Sequence, residues 1–338
     1  MQAIVLEKPG GLQNLRRRET PRPQAGTGEV VVQIEAAALN RRDLWIIEGK
    51  YPNIKLPAIL GSDGAGRVVE TGKNVDPSWK GKAVVLYPAL EWGADPAVQS
   101  PNYRVLGMPD DGTLAEFIAV PAENLVEKPS YLSFEAAAAL ALGGLTAYRA
   151  LFTHGNLQAG QTVLITGAGG GVAGLALQMA AAAGAQVLVT SGSDSKIEKA
   201  RKLGADGGAN YRHAAWTETI KKLAGNDEPD IIIDSAGGDG LNDLISLVRP
   251  GGRIVCYGST NGLPSGFHLP RLFWKQIRLQ GSTMGSPSEF RKMVGFFATH
   301  KIQPVIDTVL PLSQYRDAFR KLPDRNRFGK IVLILREE

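Results

Sequence analysis

Between residues 161 and 258 strand and helix signals take strict turns, and few folds accommodate such a series. "QTVLIT" (161–166) gives way to a helical stretch over 171–184. Then come "QVLVTS", the helical "SKIEKARKLG", "GANY", a helix over 214–225, "DIIID" (230–234), a helix over 239–248 and "GRIVCYG" (252–258). Short β-branched runs separated by helices predict a parallel sheet with helices on both faces, a doubly wound α/β fold.

The first strand of the series runs into the glycine cluster "GAGGGVAG" (167–174), which opens a helix. Ala168, Gly170 and Ala173 match a G-x-G-x-x-G/A spacing with alanine in the first and third slots. Small residues there let the turn close, let backbone approach a pyrophosphate, and let helix pack on strand. The helix start adds free N–H groups and the positive end of a dipole. We therefore assign Ala168, Gly169, Gly170, Gly171 and Val172 to dinucleotide binding. The following strand ends in "VLVTSGSDSK", with Ser191 where an NAD site usually carries a carboxylate for the ribose 2′-hydroxyl. A carboxylate would repel a 2′-phosphate, whereas a hydroxyl accepts one, and Lys196 lies close by to neutralise it. That pattern favours NADP(H) over NAD(H). Lys196 also suits a plain solvated helix charge, and Asp194 a helix cap.

The flanks read differently. Residues 1–128 hold short β-branched runs, "QAIVLE", "EVVVQIEAAAL", "AGRVVETG", "KAVVLYPA" and "LAEFIAVP", broken by Gly, Pro, Asn and Asp. They predict a compact β-barrel or sandwich. A helix "SFEAAAALALGGLTAYRAL" begins at the Ser133 cap. The tail holds "PVIDTVLPL", the helical "SQYRDAFRKL" and "GKIVLILREE", and in the simplest topology it rejoins the first segment. The expected domains are thus 1–128, a dinucleotide-binding domain 129–297, and a return to the first domain over 298–338.

Composition bears on partners. A net charge of +5 with scattered Lys and Arg, apart from "RRR" at 16–18, argues against a nucleic-acid groove. The single Cys256, inside apolar "RIVCYG", excludes an intramolecular disulfide and any multi-cysteine metal site, and reads as a small buried hydrophobe. The four histidines, at 154, 213, 268 and 300, form no i, i+4 pair. No secretion signal is visible, and "AAAALALGGLTAY" (136–148) is too short to span a bilayer, so a cytoplasmic protein without membrane partners is expected.

The whole chain resembles the medium-chain dehydrogenase/reductase superfamily. The matching pieces, in order, are "ALNRRD", "LGSDGAGRVVETG", "GTLAEFIAV", "GGLTAYRAL", the glycine loop, "KLGAD", "DSAGG", "GGRIVCYG" and "GKIVL". The resemblance implies a Rossmann doubly wound parallel sheet plus a discontinuous GroES-like β-barrel catalytic domain. Where zinc alcohol dehydrogenases of this superfamily have Cys, a His-Glu pair and a third ligand, this chain has Asn40, Ser62 with Asp63, and Leu142. Asn, Ser and Leu cannot build a catalytic zinc centre, and the 91–107 lobe lacks the four cysteines of a structural one. No metal is expected.

"NRRD" with "GSDGAG" is instead similar to the zinc-free quinone oxidoreductase branch. That likeness implies that Asn40, Asp43, Trp45 and Tyr51 line the nicotinamide end of the cleft, with Thr146 beside the ring. It puts Tyr211 and Arg325 with Lys196 near the adenosine 2′-phosphate, and adds Ser235 of "DSAGG" and Gly258 of "GGRIVCYG" to the cofactor set. Asn40 also suits a cap for a helix starting at Arg41, Asp43 an anchor for neighbouring groups, and Trp45 and Tyr51 ordinary cleft-wall aromatics.

The expected reaction is hydride transfer from NADPH to a quinone or α,β-unsaturated carbonyl, with Asn40 and Tyr51 donating to the acceptor oxygen. The alternatives are an alcohol, aldehyde or acyl-thioester dehydrogenase/reductase of the same superfamily, and a catalytically inactive NADPH-binding protein. The family likeness also implies a homodimer joined through sheet edges, with "KQIRLQGSTMG" (275–285) as the edge candidate.

Overall fold

Two compact units emerge in the computed structural model, which describes residues 1–225 and 227–336. Residues Gly144–Met284 make one unit; Met1–Gly143 and Gly285–Glu338 together make the other.

The Gly144–Met284 unit is built on six strands: β1 (Thr162–Ile165), β2 (Gln186–Ser191), β3 (Gly207–Asn210), β4 (Ile231–Asp234), β5 (Arg253–Cys256) and β6 (Arg278–Gly281). All neighbours pair in parallel, in the order β3-β2-β1-β4-β5-β6. Val163, Leu164, Ile165, Val187, Leu188, Val189 and Ile231 to Ile233 are all fully buried. Such continuous apolar runs, with no polar alternation, mark strands covered on both faces. The order reverses between β1 and β4, and ligands of doubly wound sheets bind beyond the strand C-termini at that reversal. The predicted edge run forms only β6, all four of whose residues are exposed. A short helix before it, Leu269–Trp274, has no counterpart in the sequence reading.

In the other unit the ten-residue strand Glu29–Ala38 is the hub. It pairs antiparallel with Asp63–Thr71, with Phe117–Pro121 and with Lys330–Ile334. These belong to a seven-stranded sheet around a core that includes Ile4, Leu6, Val32, Ile34, Leu86, Phe319, Ile331 and Leu333. This is the GroES-like barrel, and the C-terminal tail closes it through Lys330–Ile334. Residues 337 and 338 of the predicted closing run lie outside the described residues.

The unit boundaries fall at other residues than the expected 128/129 and 297/298, because two helical stretches bond to the barrel. The Leu142 N–H, in helix Phe134–Tyr148, donates to Asp63 (2.7 Å). Helix Pro287–His300 is held by Tyr87, directly after barrel strand Ala83–Leu86: the Tyr87 hydroxyl donates to Gly285 O (2.7 Å) and its ring lies 5.5 Å from that of Phe290. The helix that holds the apolar run 136–148 also continues past it, beyond Arg149. Wider helical turns over Arg149–His154 extend it to a 21-residue helix, 78% of whose most apolar window is buried within the protein.

Candidate active site

In the Gly144–Met284 unit the residues expected at the cofactor gather at strand ends. After β1 the chain turns through Gly167 (φ +74°) and Gly169 (φ +101°), conformations that L side chains rarely adopt. The left-handed positions of the turn are thus Gly167 and Gly169; Ala168, in the motif's first slot, is not left-handed, and Gly170, in its second, has an ordinary φ of −69°. Ala168 is buried and its N–H donates to Thr190 O of β2 (2.8 Å), which ties the turn to the sheet. Helix Gly171–Ala182 follows at once, and the N–H groups of Gly171 and Val172 in its first turn have no intrahelical acceptor. Ala173, Ala176 and Ala180 are buried, as close packing requires. Gly174 is not needed for packing, since an added Cβ would meet nothing within 4 Å.

Ser191 ends β2, buried, with its Oγ accepting the Ser193 N–H (3.3 Å). Its Cα partner is Asn210, so Tyr211 follows on the same rim. The Tyr211 hydroxyl and the Arg212 guanidinium both lie against Gly192: a Cβ there would come within 2.7 Å of the one and 3.1 Å of the other. Arg212 is thus a cation at the Ser191 turn that sequence reasoning missed, although it follows Tyr211 directly in "NYR". Lys196 sits half-buried one turn into helix Asp194–Lys202. Ser235 and Gly258 meet beyond β4 and β5, where a Cβ on Gly258 would lie 3.0 Å from Ser235 O. Asp234 holds this rim by accepting from Thr166 Oγ1 (2.6 Å), Ala236 N–H (3.1 Å) and Gly237 N–H (2.9 Å). Thr146 is buried in its helix. Arg325, by contrast, is an exposed residue of the other unit, on the turn after helix Tyr315–Lys321. Cys256 is half-buried, and burial pushes its thiol up to about 11, which leaves it unreactive as a nucleophile.

In the barrel unit, strand register does the gathering. Ala38 pairs with Asp63 on one side and with Val332 on the other. Two residues further on, Asn40 therefore lies between Asp63 and Lys330, and the three side chains close a buried ring. Asn40 Nδ2 donates to Asp63 Oδ2 (2.9 Å); Lys330 Nζ donates to Asn40 Oδ1 (2.7 Å) and to Asp63 Oδ2 (2.8 Å). The Lys330 and Asp63 side chains are only 4% and 0% exposed, so two opposite charges are withdrawn from water together.

Helix Arg41–Ile47 starts here. Asp43, fully buried, reaches back with Oδ2 to the Asn40 N–H (2.8 Å). Its Oδ1 has no partner among the described residues, and burial raises its carboxyl to about 6. Arg42 turns the other way: Nη1 donates to Ser62 Oγ (2.8 Å) and Leu106 O (3.0 Å), Nη2 to Met108 O (2.9 Å), and Nε has no partner among the described residues. Its guanidinium lies over the ring of half-buried Tyr51, 5.0 Å from the centroid. Tyr103 stacks edge-on against Trp92 at 5.5 Å, its buried hydroxyl has no partner among the described residues, and burial raises its phenol. Trp45 is half-buried on the same helix. The structure thus brings Asn40, Asp43 and Tyr51 into one region together with Arg42 and Lys330, neither of which the sequence had singled out.

Comparison with known proteins agrees with this architecture. Residues 26–130 match the alcohol dehydrogenase GroES-like domain family, and residues 171–299 the zinc-binding dehydrogenase family. The zinc-type alcohol dehydrogenase-like protein YogA of Leptosphaeria maculans is 37% identical, covering 92% of each chain. An acryloyl-coenzyme A reductase of Metallosphaera sedula is 30% identical, over 98% of this chain and 99% of that one. A crystal structure of an NAD-dependent alcohol dehydrogenase superposes with a TM-score of 0.94 at 36% identity, covering 99% of this chain and 100% of the other.

The chain belongs to the medium-chain dehydrogenase/reductase superfamily. It is an oxidoreductase of the NAD(P)-dependent kind.

Zinc, which many members of the superfamily carry, does not fit the residues in its ligand slots. Asp63 accepts through both oxygens, Asn40 Oδ1 accepts from an ammonium, and Ser62 Oγ both accepts from Arg42 and donates to Leu106 O (2.8 Å). Leu142 contributes only its backbone N–H. Every polar side-chain oxygen in those slots is bonded within the protein, and two cations of the chain hold them. Among the described residues no group of three His, Cys, Asp or Glu could hold a metal ion.

Proposed function

We propose that this superfamily member is an NADPH-dependent reductase that delivers hydride to the β-carbon of a conjugated carbonyl compound, or to a quinone, with no metal. The Asn40–Asp63–Lys330 ring carries the reading, because it commits the family's ligand positions to internal hydrogen bonds. Lacking a Lewis acid, the site favours acceptors that are already electron-poor over alcohols. The acryloyl-coenzyme A reductase among its relatives is named for such an acceptor, an unsaturated carbonyl compound.

Bound NADPH supplies the hydride. Negative charge then develops on the acceptor oxygen, and fixed donors aimed at it lower the barrier. Asn40 offers the Nδ2–H not spent on Asp63, and Tyr51 offers its hydroxyl. Tyr51 or a water completes protonation. The NADP(H) preference rests on Ser191 where NAD sites carry a carboxylate, with Tyr211 and Arg212 against the neighbouring Gly192 and Lys196 in the helix that follows. We also propose a homodimer joined along β6, where Leu263, Phe267, Leu269, Phe273 and Trp274 expose apolar side chains before a strand with an open edge.

The test is an acceptor panel of enones, enoyl thioesters, quinones and alcohols with NADPH and NADH in parallel. Conjugated acceptors with NADPH should give the largest kcat/KM. Asn40→Ala should lower kcat by about 100-fold, the cost of one such donor, and Tyr51→Phe by a smaller factor, with the Kd for NADPH nearly unchanged. Alcohol oxidation with NAD as the dominant activity, or full kcat in both variants, contradicts the reading.

A further inference from the structure

The ring that closes around Asn40 has an ordering property that follows from hydrogen-bond chemistry alone. An ammonium only donates, an ionised carboxylate only accepts, and a carboxamide has one end of each kind. Lys330 Nζ faces Asn40 Oδ1 at 2.7 Å, and Asp63 Oδ2 faces Asn40 Nδ2 at 2.9 Å. The opposite orientation would set N–H against ammonium and carbonyl against carboxylate. The amide can therefore sit only one way round. The 2.8 Å Lys330–Asp63 bond prevents either partner from swinging away, and the Leu142 N–H holds the other Asp63 oxygen at 2.7 Å. From below, Asp43 fixes the Asn40 backbone N–H at 2.8 Å. One side-chain N–H of Asn40 has no partner among the described residues, and the network leaves it one direction.

We propose that Lys330 is a positioning residue: through Oδ1 it locks the Asn40 carboxamide so that the remaining Nδ2–H is presented as a fixed donor to the acceptor oxygen. This rests on the reading of Asn40 as that donor. Charge neutralisation alone would need Lys330 near Asp63 but would not need its second bond to Asn40. A donor already aimed costs no reorganisation when charge develops, and small misplacements of such groups cost large factors in rate.

Lys330→Met alone leaves Asp63 charged, buried and unpaired, and loss of folding would say nothing about positioning. The informative variant is the neutral pair Lys330→Met with Asp63→Asn, compared with the charge-keeping Lys330→Arg. Three quantities are read: Tm, kcat with KM for NADPH and for the acceptor, and the Asn40 side-chain amide signals in protein labelled with 15N-asparagine. The neutral pair removes both buried charges but leaves Asn40 Oδ1 and one donor at position 63 unpaired, so it should fold with a lowered Tm and keep both KM values within about 2-fold. Its kcat should fall by about 10- to 100-fold, and the Asn40 amide protons should lose their fixed, separate shifts. Lys330→Arg should keep Tm yet lower kcat, because a longer, planar cation cannot hold both bonds in the same geometry. Parental kcat in whichever of the two variants folds, or unchanged Asn40 signals, overturns the proposal. If the parent reduces no acceptor at all, the reductase reading falls instead, and the amide signals alone decide on Lys330.

Discussion

Asp43 shows how much a single carboxyl costs when one of its oxygens is left without a partner in the interior. Burial raises it from an ordinary 3.8 to about 6. The folded state then binds the proton more tightly than the unfolded state does. Its favourable contribution is complete below the unfolded value and is lost as pH rises through the folded one. A shift of that size corresponds to about 3 kcal/mol. Asp43→Asn keeps an oxygen for the Asn40 N–H but cannot ionise. Measured by denaturant unfolding, the stability of the variant relative to the parent should therefore improve by about 2–3 kcal/mol from about pH 4 to about pH 7. A difference that does not change with pH contradicts this account of Asp43.

At the scale of elements, legibility depended on how far apart in the chain the cooperating pieces lie. The β1–turn–helix unit was readable because strand, glycines and helix are contiguous; only the identity of the left-handed residues, Gly167 and Gly169, had to come from backbone angles. Ser191 was readable as the end of the next strand. Lys330 was not, because it is 290 residues from Asn40 and reaches it only through the pairing of Lys330–Ile334 with Glu29–Ala38. Arg42 stood inside the quoted "NRRD", yet no periodicity says that its guanidinium turns toward Ser62 and Tyr51. The helix Leu269–Trp274 escaped notice because it is short and begins at a proline-containing turn. It bears on the proposed dimer: Phe273 and Trp274 are 61% and 83% exposed beside the open edge of β6. The double variant Phe273→Glu with Trp274→Glu should convert a dimer to monomer in analytical ultracentrifugation while Tm falls little. A parent that is monomeric at all concentrations removes the edge-dimer proposal.

Across the whole molecule, two units divide the labour. The parallel sheet carries the glycine turn and the helix start proposed to receive the cofactor phosphates at its strand C-termini, while the barrel uses register to bury Asn40, Asp63 and Lys330 together. The superfamily provides the scaffold, and in this chain the positions that could take a metal are wired to Arg42 and Lys330 instead. The most direct measurement is NADPH oxidation with a conjugated acceptor, by enzyme exhaustively treated with chelator, alongside elemental analysis of the same sample. Undiminished turnover at negligible zinc, unaffected by adding the metal back, is the predicted result. Activity that disappears with the chelator and returns in proportion to bound zinc would contradict the account.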